Sequence, residues 1–228
     1  MALKLLNRAR LSLLALVCSV LGGNMPARAQ EFSADLVVSH DGAAAAPAGR
    51  LRVLGDKVRL ETPELADGFF LIDGAKPAAL FVRPGARTFM EARQSSPLTR
   101  LFIAVDPEDP CRQWQVMAHL AGLADRDYRC ERTGEETVGG RSTIAYRAVS
   151  SADQPLLGWI DRERRFPLRI KTEDGIVITA ENIRDEPQAA QSFEIPAAFR
   201  KFDPLALIKQ IKQSDVWVEG TKAPTPPQ

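Results

Sequence analysis

Few residues in this chain stand at spacings that could do chemistry, and those few do not combine. His40 is followed by Asp41, a base beside a carboxylate, which could be half of a nucleophilic triad. No G-x-S-x-G, H-E-x-x-H, G-x-x-x-x-G-K-S/T or G-x-G-x-x-G accompanies them anywhere in the sequence. A polar pair in a loop beside a strand end needs no catalytic explanation, and that is our reading of it. Gly139-Gly140-Arg141 has the small residues of a phosphate loop. It lacks the Lys-Ser/Thr ending and no helical pattern follows, so it reads as a hairpin turn. His40 and His119 are the only histidines and no C-x-x-C occurs, so no metal-ligand set is expected. His119 falls on the polar face of a predicted helix and reads as solvated. We expect no catalytic residue, no metal and no cofactor: not an enzyme.

The cysteines point elsewhere. Residues 1–29 carry a basic start (Lys4, Arg8, Arg10), an apolar run over 11–22 and an Ala27-Arg28-Ala29 cleavage site, the pattern of a signal peptide. The run is too short to span a bilayer and is followed by Gly-Gly-Asn-Met-Pro rather than more apolar residues. Lipidation of Cys18 is set aside because Val17 stands where a small residue is required. The expectation is export to the periplasm. Of 228 residues, 199 then remain, and loss of Lys4, Arg8, Arg10 and Arg28 leaves 26 basic against 29 acidic, a net charge of −3 with His neutral. Nucleic-acid binding, which needs a clustered basic excess, is excluded. Cys111 and Cys130 remain in an oxidising compartment, and a disulfide is the economical reading. It would close a loop of about twenty residues and contribute ~3 kcal/mol by chain entropy.

The elements that would position these residues are mostly strands. Residues 31–39 alternate, with Phe32, Ala34, Leu36 and Val38 on one face. The Ala-rich stretch 43–49 reads as a loop. Residues 50–54 and 57–61 form a hairpin about Gly55-Asp56, with Leu51, Val53, Val58 and Leu60 on its apolar face. Residues 69–72 and 78–82 are apolar on both faces and so need cover on each side. A strand at 88–92 ends this meander. Ser95-Ser96-Pro97 starts a predicted helix, and Asp109-Pro110 opens a second one carrying Trp114 and Met117. Strands resume after Tyr128, at 143–149, 157–161, 166–172 and 176–179, with Arg162-Glu163-Arg164-Arg165 as one charged turn. A short closing strand is expected at 193–196 and a last helix from Pro204. The tail 219–228 reads as disordered. Residues 30–218 would be one domain of about ten strands and three helices.

The large and flexible apolar side chains, among them Phe69, Phe70, Phe81, Phe89, Phe102, Trp114 and Met117, suit an adaptable pocket. They suit an ordinary core equally well, and composition alone favours the core. The charged turn could meet an acidic partner or a lipid headgroup through Arg162, Arg164 and Arg165; as a bare hairpin tip it is more simply solvated.

The succession FSADLVV, GRLRVLGDKVRLE, FFLIDG, VRPGARTFME, VGGRSTIAY, GWID with FPLRIK, NIRD and FEIPAAF resembles the superfamily of periplasmic outer-membrane lipoprotein carriers (LolA-like) across most of residues 31–202. The resemblance implies an unclosed antiparallel β-barrel, mainly β, with helices covering its concave face as a lid. It implies that a lipid, an acyl chain or an acylated protein or peptide is held in the hollow, in a sorting or envelope-biogenesis role. The residues expected to line hollow and lid are Leu36, Val53, Leu60, Phe70, Phe81, Met90, Leu101, Phe102, Trp114 and Met117. The carriers fasten the lid with an arginine in an Arg-Pro turn where this chain has Leu54-Gly55-Asp56, and neither Arg52 nor Arg59 replaces it position for position. The chain therefore resembles a relative of the carrier, not the carrier itself. Two functions stay open: a lipid-binding carrier, and an envelope sensing or scaffold module that binds another protein. An open apolar cavity would favour the first, a sheet packed with its own side chains the second.

Overall fold

A computed structural model describes residues 30–40, 43–92, 97–123, 127–150 and 155–213. The expected signal peptide, the serines before Pro97, Asp41 and the tail lie outside the described residues.

The chain makes two antiparallel meanders that meet at its first strand. The first comprises β1 (Glu31–His40), β2 (Ala46–Leu54), β3 (Lys57–Glu61), β4 (Phe69–Asp73), β5 (Ala78–Arg83) and β6 (Thr88–Glu91). Two helices follow, α1 (Leu98–Leu101) and α2 (Pro110–Leu120). The second meander comprises β7 (Arg129–Val138), β8 (Arg141–Val149), β9 (Leu156–Asp161), β10 (Phe166–Lys171) and β11 (Ile176–Asp185). A 3₁₀ turn at Ala190–Phe193, the two-residue β12 (Arg200–Lys201) and α3 (Pro204–Gln213) follow. The strands form one sheet in the order β12-β6-β5-β4-β3-β2-β1-β11-β10-β9-β8-β7. Every pairing is antiparallel except β12 with β6, and the two ends do not meet. This is the expected unclosed barrel, with twelve strands among the described residues where about ten were expected.

The curvature comes from identifiable residues. Register shifts fall between Ser33 and Asp35, between Leu36 and Val37, and between Pro167 and Arg169. Bulges bend a strand, and they are where a sheet tolerates proline. Pro167 lies at one of them, and Pro47 pairs with Val37 beside another. That tolerance corrects the reading of 43–49 as a loop: its second half is strand. Gly49 is required there, because a Cβ would approach Glu61 O to 2.3 Å at a φ of +150°.

The alternation expected of β1 to β3 places Phe32, Leu36, Leu51, Val53, Val58 and Leu60 in one buried cluster with the inner residues of β8 to β11 and of α1 and α2. The both-faced apolarity of β4 and β5 is explained by a second cluster on the opposite face. There Phe69, Leu71 and Val82 pack against Phe89, Ile195 and Phe199. Arg59 lies 3.6 Å above the Phe69 ring and donates to Ser192 O at 3.3 Å. The closing strand expected at 193–196 is absent; the segment is the 3₁₀ turn and its continuation, laid over the outer face as cover. The Cys111–Cys130 disulfide is formed, with Cα atoms 5.5 Å apart.

Candidate functional site

Two regions could bind something: the inner face under the helices, and the polar end around the β9–β10 turn.

On the inner face, residues 97–123 act as a plug. Trp114 is fully buried and its ring lies on Gly158 of β9, where a Cβ would come within 2.5 Å of Cη2. Its indole Nε1 donates to Leu101 O at 3.1 Å, tying α2 to α1. Phe102 reaches Phe166 at 6.4 Å between ring centroids, and Phe166 stands edge-on to Phe32 at 5.3 Å. The Tyr146 hydroxyl donates to Pro107 O at 2.6 Å, and the Val105 amide donates to Arg165 O at 2.8 Å. Burial, with the Glu108 carboxylate nearby, pushes the Tyr146 phenol pKa up. The disulfide then fixes the start of α2 to β7.

The ten residues expected to line hollow and lid are thus brought together, nine of them buried and Met90 partly so, packed against the same cluster. In this arrangement they fill the space with one another. A cleft of about 240 Å³ opens beside them, lined by Pro97, Arg100, Leu101, Tyr128 and Leu156 with Thr172, Glu173 and Asp174.

At the polar end, Asp161 organises the turn. Its Oδ1 accepts from the Glu163 and Arg164 amides at 2.9 and 3.1 Å, an Asx-turn. Its Oδ2 accepts from Arg141 Nε at 2.5 Å and Arg164 Nη1 at 3.0 Å. Burial pushes the Asp161 carboxyl up, but the bonds from Arg141 and Arg164 outweigh it, and its pKa lies below the usual carboxylate range. The bond to Asp161 in turn raises the pKa of Arg141.

The three arginines expected at an exposed tip are not equivalent. Arg162 is exposed and 3.7 Å from Glu108. Arg165 is exposed, in the left-handed region at φ 49°. Arg164 turns inward with only 9% of its side chain accessible, held by Asp161 and by both oxygens of Asp185 at 2.6 Å. Its guanidinium is 5.7 Å from the Phe32 ring. A carboxylate buried beneath the turn draws it in, so it is a strut rather than a surface cation. Sequence reading missed this network. The signal available was the Asp that closes GWID, placed to accept from the turn behind it.

Three clefts surround this turn, and Glu163 lines all of them. One of about 440 Å³ is framed by Gln30, Glu31, Arg141, Arg164, Asp185 and Glu186. In it Arg164 Nε and Gln30 Oε1 are buried without a hydrogen-bond partner among the described residues. The others, about 400 and 430 Å³, lie toward Gly55, Gly74 and Val105 and toward Gly140, Ser142 and Thr143. The lining is charged side chains and turn backbone, which suits a hydrogen-bonding chain better than an acyl tail. Elsewhere, His119 Nε2 is 3.4 Å from Asp127, and His40 Nε2 is 3.2 Å from Asp174 O. Among the described residues no three His, Cys, Asp or Glu side chains are grouped to hold a metal ion.

No protein-family model matches the sequence, and no curated protein matches it. Among solved structures the chain is similar to a putative outer-membrane lipoprotein-sorting protein domain from Vibrio parahaemolyticus. The TM-score is 0.36 and the identity 11%, covering 74% of this chain and 91% of that one. It is also similar to the MucA/MucB complex from Pseudomonas aeruginosa (0.37, 16%, covering 76% and 58%) and to PNGF-II (0.48, 10%, covering 81% and 34%). The chain thus spans about a third of PNGF-II.

Proposed function

We propose that this protein is a non-enzymatic binding module of the cell envelope that takes a protein or peptide partner at its polar end. The observation that carries the reading is the filled inner face. Trp114, Phe102 and Met117 occupy the space an acyl chain would need, and three separate attachments hold their segment to the rest of the fold: the Tyr146–Pro107 and Val105–Arg165 hydrogen bonds and the disulfide. The three polar clefts about the β9–β10 turn supply donors and acceptors for an extended polar chain. Export follows from the signal-peptide pattern and agrees with the disulfide.

A lipid carrier is the second reading, favoured by the cleft beside Leu101, which would be its entrance. At about 240 Å³ that cleft is below the roughly 300–1,000 Å³ of ordinary ligand pockets. Carriage would therefore require the plug to leave.

The test is in-cell photocrosslinking from position 162. A discrete adduct of this chain with one protein, weakened by Arg165→Glu, is expected. No adduct from 162, with crosslinking instead from Leu101 to lipid, would replace this reading with the carrier.

A further inference from the structure

At the opposite edge of the sheet the surface changes character. Five large apolar residues are markedly exposed among those described, and three of them fall within seven positions: Phe202 at 37%, Leu205 at 76% and Ile208 at 48%. They are not loose chain. Phe202 N donates to Phe89 O at 2.7 Å, and Asp203 Oδ1 caps α3 by accepting from the Leu205 and Ala206 amides at 2.9 and 3.1 Å. Leu205 and Ile208, three apart on a helix, share one face. Ordered backbone presenting bare aliphatic side chains calls for a cover.

The surrounding charge says which kind. Arg87, Arg200 and Lys209 are exposed, and Arg200 N donates to Arg87 O at 3.0 Å, which sets these two arginines side by side. Lys201 is held by Glu91 at 2.6 Å, and Asp203 keeps its charge while capping α3, so these four cations face two carboxylates. The edge is therefore cationic in a mature chain whose net charge is −3. A short helix with an apolar face bordered by cations is the composition of interfacial anchors on anionic membranes. The ten residues of α3 rise about 15 Å, half the hydrocarbon thickness, so the helix would lie along the surface and not cross it.

We propose that α3 and the β6–β12 edge dock this protein on an anionic lipid surface, with Phe202, Leu205 and Ile208 entering the interface and Arg87, Arg200 and Lys209 meeting the headgroups. The docking leaves the β9–β10 turn free, and it is independent of what that turn binds.

The test is flotation of the whole mature chain with vesicles of phosphatidylcholine alone and of phosphatidylcholine mixed with phosphatidylglycerol. Binding to the anionic vesicles only, weakened by salt, is expected. Leu205→Asp/Ile208→Asp should weaken it at least tenfold, and Arg200→Glu/Lys209→Glu by about fivefold or more per cation. Far-UV dichroism and melting should stay unchanged, since these side chains are exposed. Absence of anionic-vesicle binding at low salt, binding equal in the aspartate variant, or a concentration-dependent dimer abolished by that variant would each overturn the proposal, the last by assigning the patch to self-association.

Discussion

Asp161 shows how much one residue can decide. Its side chain is 2% exposed, yet it stays ionised because Arg141 and Arg164 converge on it. Replacing it with Asn leaves two guanidiniums facing a neutral amide. Breaking a buried pair from one side costs about 3–5 kcal/mol, and the low end applies because Arg141 is 30% exposed. The sign with pH follows from the lowered folded-state pKa. The contribution is present above the unfolded carboxylate value, near pH 4, and is lost as pH falls through the lower folded value. Urea melts should therefore show Asp161→Asn less stable by about 3 kcal/mol at pH 7, with the gap to the native protein narrowing below about pH 4. A constant gap down to pH 2 would mean that Asp161 is not the titrating anchor. At this scale the sequence was partly legible. The charged turn was visible, but Arg164's inward course was not, because it depends on Asp185, which lies 21 positions further along the chain.

The seating of α2 is an element-scale property, set by a glycine on a strand from the other meander. Gly158→Val places a branched side chain where Trp114 Cη2 already stands 2.5 Å from a Cβ position, in a core with no slack. A loss of about 1–3 kcal/mol is expected, with amide exchange rising first across Pro110–Leu120. Unchanged exchange there would show that α2 is not seated on β9. The periodic elements were readable in advance: β1 and β3 alternate, β4 and β5 are short apolar runs, Gly55-Asp56 divides β2 from β3, and Asp109-Pro110 does open α2. The missed elements have physical reasons. β7 is a charged, almost wholly exposed edge strand, so it has no apolar period to detect. β2 starts early because bulges admit Pro47, and the segment after the 190–193 turn does not pair because Ile195 and Phe199 pack over Phe69 and Leu71 instead.

At the scale of the molecule, the two meanders join through β1, and the segment between them becomes the filling of the half-barrel they form. An unclosed barrel with helices over its inner face was legible from the order of short, individually degenerate pieces. Whether the hollow is filled was not, because the same Phe, Trp and Met side chains serve a core and a pocket alike; only their mutual packing distinguishes the two. On the proposed function, residues 97–123 are fixed core and binding occurs outside the hollow. Native mass spectrometry of residues 30–228, purified under gentle conditions, is the direct test. The Leu205→Asp/Ile208→Asp variant should be measured alongside, so that lipid adhering to α3 is not counted. The mass of the bare chain is expected for the variant, with no uptake of added phospholipid or acylated peptide. One lipid or acyl peptide per chain, retained by both proteins, would contradict it and make the segment a lid.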